Sequence, residues 1–274
     1  MRSGVGRFAA MLPGEYLRRL ESRSQRVVRY LQRNIGAIAI AWTAAVTAAI
    51  ALKLLLAPVP VRSAADALAL ILPYCAVALA PVAGLYLADR AFPQGTLTAQ
   101  PSLRLSPCGK WRRISITEAR ANPLFGPAGF MASMLVGLLL NVAVRSLEFF
   151  VSIPALNGHA PAWGQSLFLM MSADLAVMGF FYMVCFILAL RSVAYFPRML
   201  IFTWVLDIAI QCLIARQIGM ANGLPAGVAE PLQGLLTSNV DKVLISVAVW
   251  LPYLILSERV NVTFRQRVYA SSGI

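Results

Sequence analysis

Long apolar runs separated by short polar breaks dominate this chain. A bilayer core needs about 20 predominantly apolar residues in helical form. On that rule the pattern predicts six spans. They run Ile35 to Ala57, Ala67 to Ala88, Leu124 to Val144, Ser166 to Leu190, Met199 to about Ile218, and Val243 to Leu256. The first ends at Pro58-Val59-Pro60, and the second carries Pro73 and Pro81. The last reaches spanning length only with its flanks. The fold class expected is all-α, a polytopic membrane helix bundle of about six transmembrane helices.

The polar breaks organise the rest. Residues 1–34 form a basic interfacial segment, in which Pro13-Gly14 precedes a helix predicted from Glu15 to Arg33. Tyr16, Leu17, Leu20, Val27, Val28 and Leu31 recur near helical spacing, with arginines filling the other face. Such a helix suits an anionic leaflet. Residues 35–88 form a two-span hairpin, 89–123 a basic loop, 124–264 a four-span membrane domain, and 265–274 a tail. Within the loop, Leu103-Arg104-Leu105 and Ile114-Ser115-Ile116 alternate around Pro107-Cys108-Gly109, which suggests a small hairpin. Pro154 to Trp163 and Gly219 to Ser238 read as loops on the other side.

Composition agrees with this partition. The 274 residues are 59% hydrophobic and 13% charged, against roughly 25% charged in soluble domains. The net charge of +13 becomes informative once it is mapped. Nineteen Lys and Arg fall on the side of the termini and four in the opposite loops. Basic residues concentrate on the cytoplasmic side of spans, so both termini are expected to be cytoplasmic. The same asymmetry accounts for the charge without nucleic acid. Lys110-Trp111-Arg112-Arg113 reads as a headgroup-facing anchor. The expected surroundings are the lipid bilayer, anionic headgroups at the N-terminal helix, and a membrane-protein partner.

Candidate chemistry is sparse. Cys75, Cys108, Cys185 and Cys212 show no C-x-x-C spacing, and His159 is the single histidine. No metal site or cofactor is therefore expected, and no catalytic residues are assigned. Ionisable groups inside spans are costly and mark functional candidates. Asp174 and Asp207 fall at similar depth on two antiparallel neighbouring spans, and Gln211 follows Asp207 by one helical turn. Two carboxyls and an amide near the midplane suit cation binding, proton relay, or interhelical hydrogen bonding. Lys53 is placed to snorkel. Arg145 and Glu148 are spaced to pair with each other.

Three stretches carry a family resemblance. Leu251-Pro252-Tyr253, Ser257, Arg259-Val260 and Thr263-Phe264 resemble the ending I-P-Y-F-x-x-S-x-R-V-K-x-T-F. Tyr195-Phe196-Pro197-Arg198 looks like an F-P-R-L turn, and Gly126 to Phe130 is a loose match to a Gly-Gly-Trp-Leu start. These are features of a group of bacterial four-span inner-membrane proteins, domain of unknown function 2569. The resemblance covers about residues 122–266. Asn261 stands where Lys is usual, and Asp241-Lys242 replaces a site often basic. It implies a bacterial inner-membrane location and no assigned activity. The sequence thus favours a non-enzymatic accessory or regulatory membrane protein. A small transporter or ion/proton pathway through Asp174, Asp207 and Gln211 is the alternative, and a membrane-embedded lipid-modifying enzyme the third reading.

Overall fold

The structure, a computed structural model, describes residues 14–56, 63–93, 100–101, 110–220 and 225–270. Six helices are long and apolar enough to cross a membrane, which makes the chain a multi-pass membrane-embedded protein. In chain order the elements are α1 (Gly14–Arg33), α2 (Ile35–Leu55), α3 (Ala64–Ala91), β1 (Trp111–Arg113), α4 (Ile116–Ala121), α5 (Phe130–Ser152), α6 (Ala162–Leu190), α7 (Phe196–Gly219), α8 (Ala226–Leu256), α9 (Glu258–Arg265) and β2 (Arg267–Tyr269). The spans are α2, α3 and α5–α8, and the first and last described residues lie at one end of the bundle, here the terminal end.

α6 is the centre of the bundle. It is the most buried span, with α3, α5 and α7 packed around it. Its contact with α3 is backbone-close because glycines stand on both sides. A Cβ on Gly179 would meet the Pro81 ring at 2.9 Å. Small residues at such crossings let helices approach where apolar burial gives no driving force. α2 and α8 lie at the rim and present most of their surface outward.

Four observations revise the expected boundaries. The third span extends eight residues beyond Val144, to Ser152, so Arg145 lies inside a helix and not at its end. The sixth span begins at Ala226. Its first half was expected to be loop because Gly227, Pro231 and Gly234 interrupt the apolar pattern, yet each of these is tolerated near a helix N-terminus or on an exposed face. The hairpin expected inside the basic loop is replaced by a longer-range pair. β1 pairs antiparallel with β2, Trp111 opposite Tyr269, and the C-terminal segment thereby joins the loop. Leu103-Arg104-Leu105 and Cys108 lie outside the described residues. Ile116 opens α4, where Ser115 and Glu118 form a capping box.

α1 packs on the bundle. Val28 and Leu31 are buried against the bundle, while Leu20, Val27 and Tyr30 face outward. Ser24 Oγ accepts a 2.7 Å hydrogen bond from the Gly129 amide, and Arg259 Nη2 lies 2.6 Å from Glu21 Oε1. The five arginines Arg19, Arg23, Arg26, Arg29 and Arg33 remain exposed.

Candidate functional site

The apolar core has two layers with a polar layer between them. On α5, Val142 belongs to the terminal-end cluster and Phe149 to the opposite one, with Arg145 between. On α6, Met178 and Leu175 divide in the same way beside Asp174. On α7, Trp204 and Ile214 bracket Asp207 and Gln211, and on α8 Val243 and Leu236 bracket Asn239. Four consecutive spans thus contribute polar groups at one level. Asp174 stands about 18 Å along α6 from its start at 1.5 Å per residue, well inside the bilayer core.

Arg145 is the hub. Its Nη1 donates to Asp207 Oδ2 at 2.5 Å and its Nη2 to Asp174 Oδ2 at 2.9 Å. The planar guanidinium fork suits this two-carboxylate arrangement, which a lysine could not reproduce. Tyr182 Oη donates to the same Asp207 oxygen at 2.7 Å. Gln211 Nε2 donates to Asp174 Oδ2 at 3.0 Å, and Asn239 Nδ2 reaches Gln211 Oε1 at 3.5 Å. All are buried. Asp174 Oδ1, Asp207 Oδ1 and Asn239 Oδ1 take no hydrogen bond from the protein. A cleft of about 20 Å³ reaches this layer, lined by Arg145, Glu148, Met171, Asp174, Leu235 and Asn239 among others. Asp174 therefore touches the cleft, whereas Asp207 is wholly enclosed.

The structure brings Asp174, Asp207 and Gln211 together, in agreement with their expected depth. It places Arg145 differently. Glu148 pairs with Lys242 instead, at the rim of the cleft. The reason is helix length: with α5 running to Ser152, Arg145 points into the bundle and Glu148 lies one turn nearer the opposite end. Tyr182 and Asn239 are additional members. Asn239 was hidden because the apolar pattern of the last span begins only at Val243. Tyr182 carries no sequence signal, since a tyrosine within an apolar run reads as core. Lys53 donates to the Ile153 carbonyl at 3.1 Å.

The three motif stretches converge at the terminal end. Phe196 and Phe264 pack at 5.1 Å between ring centroids. The Gly126 amide donates to Thr263 Oγ1 at 3.0 Å. Tyr253 and Trp250 both pack on Phe130. Ser257 separates α8 from α9, and its carbonyl accepts from Asn261 Nδ2 at 3.0 Å. Gly129 adopts φ of 64°, beside the Arg259 side chain. Pro197 occupies the first turn of α7, where its missing N–H costs nothing. Pro252 lies within the last turns of α8. Arg191 pairs with Asp89, linking the ends of α6 and α3. No protein-family model, curated protein or solved structure matches this chain.

Proposed function

We propose that this is a bacterial inner-membrane protein with both termini cytoplasmic, and that Asp174 and Asp207 form its proton- or monovalent-cation-exchanging centre. The orientation rests on the distribution of Lys and Arg, and the bacterial inner membrane on the resemblance to domain of unknown function 2569. One observation carries the functional reading. A single guanidinium bridges two carboxyl groups near the midplane, so the three ionised groups sum to one negative charge. An uncompensated charge there costs several kcal/mol. One proton or one monovalent cation removes that cost. The free oxygens Asp174 Oδ1 and Asn239 Oδ1 supply ligands beside the cleft. Exchange would run through Asp174 from the periplasmic side. The polar groups lie mid-bundle and not at one headgroup plane, which favours an ion site over a lipid-modifying enzyme.

The accessory reading is favoured by a different observation. α1 is pinned to the bundle with five arginines outward, so its basic face has a fixed shape that a membrane-protein partner or anionic headgroups can meet.

Proton flux separates the two. The full chain, reconstituted in liposomes with an internal pH dye, is expected to pass protons down an imposed gradient. D174N, which removes the exchangeable group and keeps the side-chain shape, is expected to abolish the flux. M171C and L235C, in a background without native cysteines, are expected to react with a charged thiol reagent from the periplasmic side alone. Flux equal to protein-free liposomes, with both cysteines protected, would leave the aspartates as interhelical glue and the accessory reading in their place.

A further inference from the structure

We propose that the terminal end of the bundle holds a binding site for a phosphate group, built on Arg265 and Arg198. This site is separate from the midplane centre and does not depend on its reading.

Arg265 is buried, yet it closes α9 outside the spans. Its Nη1 is committed, donating to the Leu254 carbonyl at 2.8 Å and to Asn261 Oδ1 at 3.2 Å. Its Nη2 has no partner. One half of the guanidinium is thus anchored and the other is held as an unused donor. Together with Arg198 it lines a small cleft walled by Gln100, Ala194 and Pro197.

The charged groups that act on Arg265 are Arg267 and Arg198, both positive. Burial first, and then these two neighbours, hold its guanidinium down to about 10. Arg113 stands directly opposite Arg267 in the β1–β2 pair, and like charges in that position repel. Among the described residues no carboxylate lies within ion-pair distance of Arg198 or Arg265. A buried guanidinium without an anion is expensive, and a phosphate oxygen supplies the missing acceptor in the geometry arginine prefers. Gln266, between Arg265 and Arg267, adopts φ of 50°.

The space fits a phosphate ester. The cleft itself is about 10 Å³, the room of a single oxygen. It shares Gln100 and Ala194 with a cavity of about 310 Å³ whose wall includes Arg120, Ser192 and Thr263. One phosphate oxygen would enter the cleft while the rest of the group occupies the cavity. The site flanks the start of α7 and the end of α8, the level of lipid headgroups, so a phospholipid and a soluble phosphate are the two sources of this chemistry.

The test is thermal unfolding of the full chain in a maltoside detergent. The titrants are short-chain phosphatidylglycerol, diacylglycerol with the same chains, and inorganic phosphate. Phosphatidylglycerol is expected to raise the unfolding midpoint saturably and diacylglycerol to leave it unmoved. R198Q changes a partly exposed side chain outside the apolar core. It is expected to shift half-saturation about tenfold upward, the loss of one charge-assisted contact. R265K, which keeps a charge but not the fork, is expected to weaken binding also. If inorganic phosphate stabilises as well, the phosphate alone is recognised. If only phosphatidylglycerol does, the headgroup in its bilayer setting is the ligand. Equal effects of diacylglycerol and phosphatidylglycerol, no shift by any titrant, or unchanged titration of R198Q would overturn the proposal.

Discussion

Gly84 lies so close to Phe180 that a Cβ on the glycine would stand 2.4 Å from the Phe180 carbonyl oxygen. That neighbour is helix backbone and cannot rotate away. G84A therefore forces α3 and α6 apart along the largest helix contact of the bundle. Overpacking of this kind costs about 1–3 kcal/mol. The expected result is a clear drop in unfolding midpoint in detergent. G137A, where nothing lies within 4 Å of the added methyl, should leave the midpoint unchanged or raise it slightly, since alanine is the better helix residue.

Arg145 holds two carboxyls at once, so its removal is worse than the removal of any one partner. R145L strands both, at a cost of about 3–5 kcal/mol typical of breaking a buried ion pair. Most of that loss should return in R145L combined with D174N and D207N. A cycle comparing these variants, read as unfolding midpoints, measures the coupling. An R145L protein as stable as the parent would contradict the bridge.

Tyr182 donates to an oxygen that Arg145 already occupies. Y182F keeps the ring and deletes one hydrogen bond to a charged acceptor, about 1.5–3 kcal/mol. Its effect should shrink sharply in a D207N background, because the two groups act as one network.

Glu148 and Lys242 form the contrasting case. Glu148 lines the cleft, and both side chains are partly exposed. Lys242 follows Asn239 by one turn in the middle of α8, so E148Q leaves its ammonium unpaired at that depth and should cost about 1–3 kcal/mol. The exchange E148K with K242E should restore parental stability.

Docking of α1 can be read directly. With the four native cysteines replaced, E21C and R259C should be joined by a short bismaleimide in intact membranes. A Y30C control on the outward face should not join R259C. Absence of the E21C–R259C product, in inserted protein, would show that α1 is not held on the bundle.

Much of the architecture was legible because a bilayer makes composition decisive. Spans must be long, apolar and helical, so α2, α6 and α7 stand out from hydropathy alone. The ends were less legible where polar residues are buried by partners. Val144 looked like the end of a span because Arg145 follows it, and that arginine is compensated by carboxylates on other helices. The start of α8 was masked by glycine and proline, which weaken an apolar pattern without preventing a helix.

The sequence by itself determined the class of protein and the number of spans, and it placed Asp174 and Asp207 at similar depth with Gln211 one turn beyond Asp207. These follow from one-dimensional quantities: length, hydropathy and the position of charge. Only the tertiary structure decided which groups meet. Depth along a helix says nothing about rotation around it or about which helices are neighbours. The pairing of Arg145 with two aspartates rather than Glu148, the union of β1 with β2, and the meeting of Arg265 with Arg198 at one cleft all depend on contacts between residues far apart in the chain. Such contacts are set by packing, and no local pattern records them.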